Sequence, residues 1–377
     1  MGHMEFVLKH NKFRHLREND LICSDICASK PEAKTLIQDM ITQALAVQPD
    51  AKYFHIGADE VQSLGICNDC KPKVAKCPED GCRLYLEHIK SIVQFIKGCR
   101  PNMTILMWDD MLRNIDVHLL KEYNLGEMVQ PVVWNYNVKE NFNNRFNPGM
   151  WDKYKEIFPT VWAGSAFKGA NKPCSIVTDL KLYVSNHEAW ILEMNRLSPS
   201  INFTGVILTG WSRYDHYAAL CELLPTAMNS LANCLRSLTG QMESFADLYQ
   251  EDSLPQEQWP GYTMADYAKT VDVLRDRIFR DGIEDFETTY MNSWQLEHGF
   301  LNYQHVQQLV NRTQMIQDQF RSMEELIQPT LQSLSGPRTA SEWLHTYIKT
   351  RSQHIARTLQ QAQAALAPRL QLPPRSG

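Results

Sequence analysis

Two adjacent carboxylates, Asp59 and Glu60, are the residues of this chain best suited to chemistry. They follow an apolar run, residues 53–58, which is typical of a buried strand that delivers an acid to the mouth of a barrel. Two neighbouring carboxyl groups in one partly desolvated place cannot both ionise freely, so one tends to stay charged while the other keeps a proton. Glycoside hydrolysis needs that division of labour. An acidic pair is more often the solvated start of a helix, and the preceding apolar run is what favours a catalytic site.

The composition is that of a globular protein with a sizeable core, since 44% of the 377 residues are hydrophobic and 21% are charged. The net charge of −5 is spread along the sequence, which disfavours nucleic acid and anionic membrane surfaces as partners. No apolar segment approaches the length that spans a bilayer, and the opening residues resemble neither a signal peptide nor a myristoylation site. We therefore expect a cytoplasmic protein, with the nucleus as a second location.

Five short runs rich in β-branched or aromatic residues predict strands, and helical patterns lie between them. The runs are 52–57, 104–109, 131–136, 160–165 and 204–211, and the helical patterns are 83–97, 181–197 and 218–235. Such alternation implies parallel strands with crossover helices, so residues 1–238 are predicted to form an α/β domain. Beyond it the strand signal ends. Residues 239–377 are predicted to be an α-helical region, with helices over 264–280, 295–334 and 339–367.

Four tryptophans lie at or near the ends of the predicted strands, namely Trp108, Trp134, Trp162 and Trp211. In a barrel of parallel strands those ends converge on one face, where function is found. A single tryptophan is more often a core residue, but four in matching positions predict an aromatic-walled pocket. Such a pocket suits a sugar, whose C–H faces stack on indole while its hydroxyls bind polar groups.

Four of the ten cysteines, Cys67, Cys70, Cys77 and Cys82, lie within sixteen residues shortly after the acidic pair. Their surroundings are rich in Lys, Pro, Asp and Gly, which is typical of a loop. Three interpretations stay open: reduced thiols, a structural zinc site with four thiolate ligands, and disulfides, which we rank last. A zinc-dependent interaction module would rest on this cluster alone.

The motif His55-x-Gly57-x-Asp59-Glu60 resembles the catalytic signature of the family 20 glycoside hydrolases, the β-N-acetylhexosaminidases. Two further segments, 2–6 and 210–217, resemble the hexosaminidase D branch of that family. The resemblance covers roughly residues 2–225 and implies a (β/α)8 TIM barrel whose acidic pair follows the fourth strand. The five runs then match strands four to eight. This chain is therefore expected to lack the first three strands, and to be poorly stable and nearly inactive as it stands.

The resemblance also implies how the site works. The substrate's own 2-acetamido group is the nucleophile in a retaining mechanism that needs no cofactor. Glu60 would protonate the glycosidic oxygen and later activate water, while Asp59 would orient the acetamido N–H and stabilise the oxazolinium charge. Tyr136, or else Tyr214, would bind the acetamido carbonyl. The remaining sugar contacts are assigned to His3, His55, Trp108, Asp109 or Asp110, Trp134, Trp162 and Trp211.

The substrates implied are glycans or glycoconjugates that end in β-linked N-acetylgalactosamine or N-acetylglucosamine. Arg213 stands where many relatives carry a glutamate that binds sugar hydroxyls, which leaves the preference between the two sugars open. The alternative hypothesis is a non-catalytic carbohydrate-binding or interaction protein derived from a broken barrel. Tryptophans without a complete acid/base site would favour binding, whereas the retained Asp59 and Glu60 favour an enzyme. Oligomeric state is not predicted.

Overall fold

The computed structural model describes residues 3–241, 259–280 and 282–370, which fall into two compact units. The first unit holds the described residues 3–167, 181–210 and 234–241, and the second holds 168–180, 211–233, 259–280 and 282–370. Gly2, the first residue of the segment 2–6 that carries part of the family resemblance, lies outside the described residues. The domain boundary after residue 238 stays a prediction.

Five strands form one parallel sheet in the order in which they occur along the chain. They are β1 (Tyr53–His55), β2 (Thr104–Trp108), β3 (Gln130–Trp134), β4 (Val161–Lys168) and β5 (Phe203–Gly210). The register pairs Phe54 with Ile105, Met107 with Pro131 and Val133 with Ala163. All five predicted strands are confirmed, and so is a partial (β/α) barrel followed by C-terminal helices.

Helices precede, connect and follow the strands in the first part of the chain. They are α1 (Glu5–Leu8), α2 (Pro31–Val47), α3 (Asp80–Cys99), α4 (Val117–Glu122), α5 (Leu125–Met128), α6 (Met150–Ile157), α7 (Leu180–Leu197) and α8 (Met228–Thr239), with short 3-10 turns at Asn11–Leu16, Lys71–Lys73, Asp110–Asn114, Lys139–Arg145 and Leu224–Ala227. In α3, Leu86, Ile89, Val93 and Ile96 are buried, at the three- and four-residue spacing of one helical face. The predicted helices over 83–97 and 181–197 are confirmed.

The helix predicted over 218–235 is wrong in its first half. Residues 218–223 are not helical, and α8 begins only at Met228. The reason is Pro225, which has no N–H to donate to the preceding turn and is therefore tolerated only in the first turn of a helix. Leu223 is not helical, with ψ of 146°, and a 3-10 turn over Leu224–Ala227, with Pro225 in its first positions, precedes α8.

Side chains of each strand alternate between the two faces of the sheet. On one face, Ile105, Met107 and Val133 belong to the main core of the first unit, together with residues of the surrounding helices. The opposite face carries a smaller cluster, which consists of Leu106, Trp108, Val132, Trp134, Trp162 and Ile207. The tryptophans of β2, β3 and β4 therefore share one face.

The C-terminal helices make a core of their own in the second unit. They are α9 (Tyr262–Arg280), α10 (Ile283–Tyr290), α11 (Ser293–His298), α12 (Tyr303–Leu344) and α13 (Thr350–Leu370), with a π turn at His345–Lys349. The predicted helix over 295–334 is interrupted, because Gly299 takes a left-handed φ of 67° and ends α11. A second left-handed glycine, Gly336 with φ of 80°, kinks α12. Among the described helices, none combines the length and the apolar character that a membrane span requires.

Candidate active site

The backbone leaves β geometry directly after β1, in the segment that carries the acidic pair. The ladder continues as far as Gly57, whose carbonyl accepts the N–H of Trp108 at 3.0 Å. Gly57, Ala58 and Glu60 then have φ of 71°, 71° and 44°, in the left-handed region. Such conformations cost a non-glycine residue about 1–2 kcal/mol and cluster at functional sites. The Tyr85 hydroxyl of α3 donates to the Ala58 carbonyl at 2.7 Å and holds this turn.

Three titratable side chains converge at this turn. Nε2 of His3 lies 3.2 Å from Oδ2 of Asp59 and 3.4 Å from Oε2 of Glu60. Hydrogen bonds to Asp59 and Glu60 raise the pKa of His3 to about 10, so the imidazole is protonated at neutral pH. The side chain of Glu60 is 50% exposed and that of Asp59 is 19% exposed, so Glu60 is the more accessible acid. The structure thus brings His3 together with Asp59 and Glu60, which lie far from it in the sequence. We call these three residues the constellation.

Asp110 links Glu60 to the tryptophan face. Its Oδ2 accepts the backbone N–H of Glu60 at 2.9 Å, and its Oδ1 accepts the indole N–H of Trp134 at 3.1 Å. Burial raises the pKa of Asp110. Asp109, and not Asp110, occupies the N-cap position of the 3-10 turn over Asp110–Asn114. Asp110 therefore holds the left-handed backbone of Glu60 in place.

Asp109 is a buried structural anchor. Its carboxylate receives two bonds from Arg113, at 2.7 and 2.8 Å, and one from the Tyr154 hydroxyl at 3.0 Å. The backbone N–H of Trp134 adds a longer contact at 3.3 Å. Since the residue is 0% exposed, no part of it faces outward to a sugar. The expected sugar contact of Asp109 is not supported by this placement.

Replacing Arg113 with Ala is expected to destabilise the first unit by about 3–5 kcal/mol, because it leaves the Asp109 charge buried and unpaired. Unfolding by urea measures the loss. The matched control is Lys121→Ala, which removes the partner of Glu156 in an ion pair whose two side chains are both about half exposed, and should cost at most about 1 kcal/mol. Similar small losses in both variants would contradict the assignment of Asp109 as a buried anchor.

The tryptophan face is built on two glycines. A Cβ at Gly164 would lie 3.2 Å from Cζ3 of Trp108, and a Cβ at Gly205 would lie 2.6 Å from Cζ3 of Trp162. Because glycine has no Cβ, the indoles of Trp108 and Trp162 can pack directly against the backbone at these two positions. The indole N–H of Trp162 donates to Gln130 at 2.7 Å, which fixes that ring from the neighbouring strand.

Two further rings and the Arg145 guanidinium pack against Trp134 and Trp108. The ring of Tyr136 lies 5.2 Å from that of Trp134, and the Arg145 guanidinium lies 4.2 Å over the same indole. His55 packs 4.5 Å from Trp108, and its Nδ1 accepts the N–H of Gly57 at 3.0 Å. Burial lowers the pKa of His55 to about 4, so it is neutral and its Nε2 carries the proton. Among the described residues, that Nε2 is buried and has no hydrogen-bond partner.

The other two predicted sugar contacts, Trp211 and Tyr214, belong to the second unit, where they are 39% and 50% exposed. Arg213, which lies between them in the sequence, forms an ion pair within that unit. Its guanidinium donates to both carboxylate oxygens of Glu342, at 2.5 and 2.6 Å.

Only two of the four cysteines predicted as zinc ligands lie together in the structure. Cys67 and Cys70 lie together with Cys27 and Glu18, whose ligand atoms are all within 4.8 Å of one another. Cys77 is exposed and its thiol donates to Asp80 at 3.0 Å, and Cys82, on α3, does not belong to the group of four.

The chain is similar in sequence to known proteins. No protein-family model matches the chain. Over 238 residues, or 63% of its length, the chain is 39% identical to Hexosaminidase D of Homo sapiens, of which it covers 48%. Over 238 residues it is also 37% identical to Hexosaminidase D of Bos taurus, of which it covers 68%. The chain belongs to the hexosaminidase D family. It spans about half the length of the human relative.

Two residues of this hexosaminidase D family member escaped the motif-based predictions, Glu18 and Cys27. Both lie more than 35 residues before Cys67, so no local spacing connects them with it. The available signal was the cysteine count, since Cys23 and Cys27 form a second pair near the start of the chain.

The His3 contacts predict a pH dependence for this family member. The folded pKa of His3 lies near 10, above the ordinary value near 6.5. Its stabilising effect should therefore be complete below about pH 6.5 and should disappear as the pH rises through about 10. The difference in melting temperature between the wild type and His3→Gln, measured from pH 6 upward, should shrink along that range. A difference that stays constant or grows with pH would contradict the ion pair.

Proposed function

We propose that the chain carries an exo-acting β-N-acetylhexosaminidase activity, which removes terminal β-linked N-acetylgalactosamine or N-acetylglucosamine, and that turnover by this form is low because the five strands of its described residues do not close a barrel. The observation that supports it best is the constellation of His3, Asp59 and Glu60 at the carboxyl end of β1. Barrel enzymes carry their chemistry at this end of the strands. Membership in the hexosaminidase D family supports the same substrate class.

The proposed first step uses both carboxyl groups. The protonated Glu60 donates its proton to the glycosidic oxygen while the substrate's acetamido oxygen attacks C1 and the leaving alcohol departs. The product of this step is an oxazolinium ion. The Asp59 carboxylate accepts the acetamido N–H and stabilises the positive charge that develops on the ring.

In the second step the Glu60 carboxylate removes a proton from water, which attacks C1 and opens the oxazolinium. The acetamide is restored, Glu60 regains its proton, and the sugar leaves with its original β configuration. Asp110 serves both steps indirectly, because it fixes the backbone of Glu60 through a 2.9 Å hydrogen bond.

Binding of the sugar is assigned to the tryptophan face. Trp134 and Tyr136 are partly exposed and adjacent, so an indole can stack on the sugar while the phenol donates to the acetamido carbonyl. His55 packs beside Trp108 with its Nε2 buried, so we assign it to support of that indole rather than to a sugar hydroxyl. Because Arg213 is held by Glu342, we propose no role for it in sugar preference, and both sugars remain candidate substrates.

The test is hydrolysis of aryl N-acetyl-β-galactosaminide and N-acetyl-β-glucosaminide by purified protein, with the Asp59→Asn/Glu60→Gln double variant as control. Proton NMR should show the β anomer as the first product. Turnover no faster than the double variant would contradict the proposal. Binding of these sugars without turnover, with the binding measured by calorimetry, would instead favour the carbohydrate-binding alternative.

The natural substrates we propose are N-acetylhexosamine-terminated glycoconjugates of the cytoplasm, with the nucleus as a second location. In support of this, Sγ of Cys27 and Sγ of Cys67 lie 3.4 Å apart, far beyond a disulfide bond of about 2.05 Å, and no disulfide joins the cysteines in the described part of the chain. Fractionation of cells that express the protein from its native locus tests this placement, and recovery in the secretory pathway would contradict it.

A further inference from the structure

Four ligand-type side chains from distant parts of the sequence meet near the candidate active site. Sγ of Cys27 lies 3.4 Å from Sγ of Cys67 and 3.5 Å from Sγ of Cys70. An oxygen of Glu18 lies 3.3 Å from Sγ of Cys70. All four ligand atoms are within 4.8 Å of one another.

These separations are close to those of a tetrahedral zinc site. With Zn–S near 2.3 Å and Zn–O near 2.0 Å, two sulfurs lie about 3.8 Å apart, and a sulfur and an oxygen lie about 3.5 Å apart. The observed 3.3–3.5 Å between neighbours requires only a small expansion around an ion. A disulfide, by contrast, would require two sulfurs to move more than 1 Å closer, to about 2.05 Å.

The site is buried and its ligands are held in place. Cys27 and Cys70 are 0% exposed and Glu18 is 2% exposed. The second oxygen of Glu18 accepts the backbone N–H groups of Ile66 and Cys67, at 2.7 and 3.2 Å, which orients the carboxylate toward the sulfurs.

The charge of Glu18 points to a cation at this place. None of the ion pairs formed by the described residues includes Glu18. A buried carboxylate that lacks a cationic partner is costly, whereas a divalent ion held by it and by thiolates removes that cost. Sulfur-rich, four-coordinate ligand sets favour zinc among the common divalent ions.

We propose that Glu18, Cys27, Cys67 and Cys70 form a closed, structural zinc site. All four positions of the tetrahedron are filled by protein, so the ion is not expected to bind substrate. The site joins two segments that carry the catalytic constellation. Glu18 and Cys27 follow the segment that begins at His3, whereas Cys67 and Cys70 lie on the loop that follows Glu60. Its effect on the constellation is to hold these two segments together.

Neighbouring contacts show the same connection between the segments. The N–H of Ser63 donates to Asp25 at 3.1 Å and joins the two segments, while the N–H of Met4 donates to the Ser24 carbonyl at 2.8 Å and holds the start of the first segment beside it. The metal would therefore complete an interface that hydrogen bonds already define. Zinc binding to such a site is coupled to folding of the segments that supply its ligands.

The deciding experiment is metal analysis of reduced, purified protein by mass spectrometry, which does not depend on catalytic activity. We expect about one zinc per chain, lost in Cys27→Ser and in Cys67→Ser/Cys70→Ser. Matched controls are Cys77→Ser and Cys82→Ser, which alter the two cysteines outside the group and should keep the metal. Folded, metal-free wild-type protein would overturn the proposal. So would zinc retained in Cys27→Ser but lost in the two controls, or a disulfide found between any two of the three cysteines.

A milder variant guards against failure to fold. Glu18→Gln keeps an acceptor for the N–H groups of Ile66 and Cys67 but loses the charge. Zinc affinity, measured by competition with a chromogenic chelator, should fall by more than the roughly 10–100-fold that loss of an outer-shell partner costs. Substitution with Co²⁺ should give the visible bands of tetrahedral thiolate coordination in the wild type and altered bands in Glu18→Gln. Identical affinity and spectra would remove Glu18 from the ligand set.

Discussion

Glu60→Gln is expected to lower kcat/KM on glycosides with poor leaving groups by about 10²–10⁴-fold, because an amide cannot protonate the glycosidic oxygen. Activated aryl glycosides should lose much less in the first step, since their leaving groups depart without a proton. The backbone N–H of Glu60, which Asp110 binds, is unchanged by the substitution. Steady-state kinetics on an alkyl and a nitrophenyl glycoside measure the contrast.

The matched control for this prediction is Glu32→Gln, an exposed carboxylate in the first turn of α2. It should leave both substrates unaffected. Equal losses on the alkyl and the nitrophenyl glycoside in Glu60→Gln would remove Glu60 from the role of general acid.

Asp59→Asn is expected to lower kcat by about 10²–10³-fold, the typical effect of removing one preorganised stabilising group. In contrast to Glu60→Gln, the loss should be similar for good and poor leaving groups, because both pass through the same oxazolinium ion. A thiazoline mimic of that ion should inhibit the wild type and bind the variant more weakly. Kinetics and isothermal calorimetry give the two readouts, and calorimetry does not require turnover.

Asp39→Asn is the control, because Asp39 is exposed on α2. Its kinetics and its affinity for the thiazoline should match the wild type. A covalent enzyme–sugar adduct that could be trapped, together with a lack of inhibition by the thiazoline, would contradict the substrate-assisted mechanism.

The strands of this fold were predictable because their signal is local. Each run, such as 104–109, combines β-branched or aromatic residues with a length typical of strands. The helix over 218–235 failed because the apolar periodicity was followed across Pro225, which lacks an N–H and can stand only in the first turn of a helix.

The candidate site was only partly predictable because its hydrogen bonds join distant residues. The motif around Asp59 and Glu60 identified the acids, and the resemblance added His3. The burial of Asp109 and the bridging role of Asp110 depend on Arg113 and Trp134, and neighbouring aspartates in a sequence do not show which one turns inward. Likewise, Cys27 is brought to Cys67 by tertiary structure across 40 positions.

Gly205 lies against the indole of Trp162, so the residue types that fit at positions 205 and 162 depend on each other. A Cβ at Gly205 would come within 2.6–3.3 Å of three ring atoms of that indole, so any larger residue at 205 is compatible only with a smaller one at 162. The two positions are 43 residues apart in the chain, on β4 and β5. Among homologues they should therefore covary, with glycine at 205 wherever 162 is aromatic. An aromatic residue grafted onto a related scaffold at position 162 would require the glycine to be transferred with it.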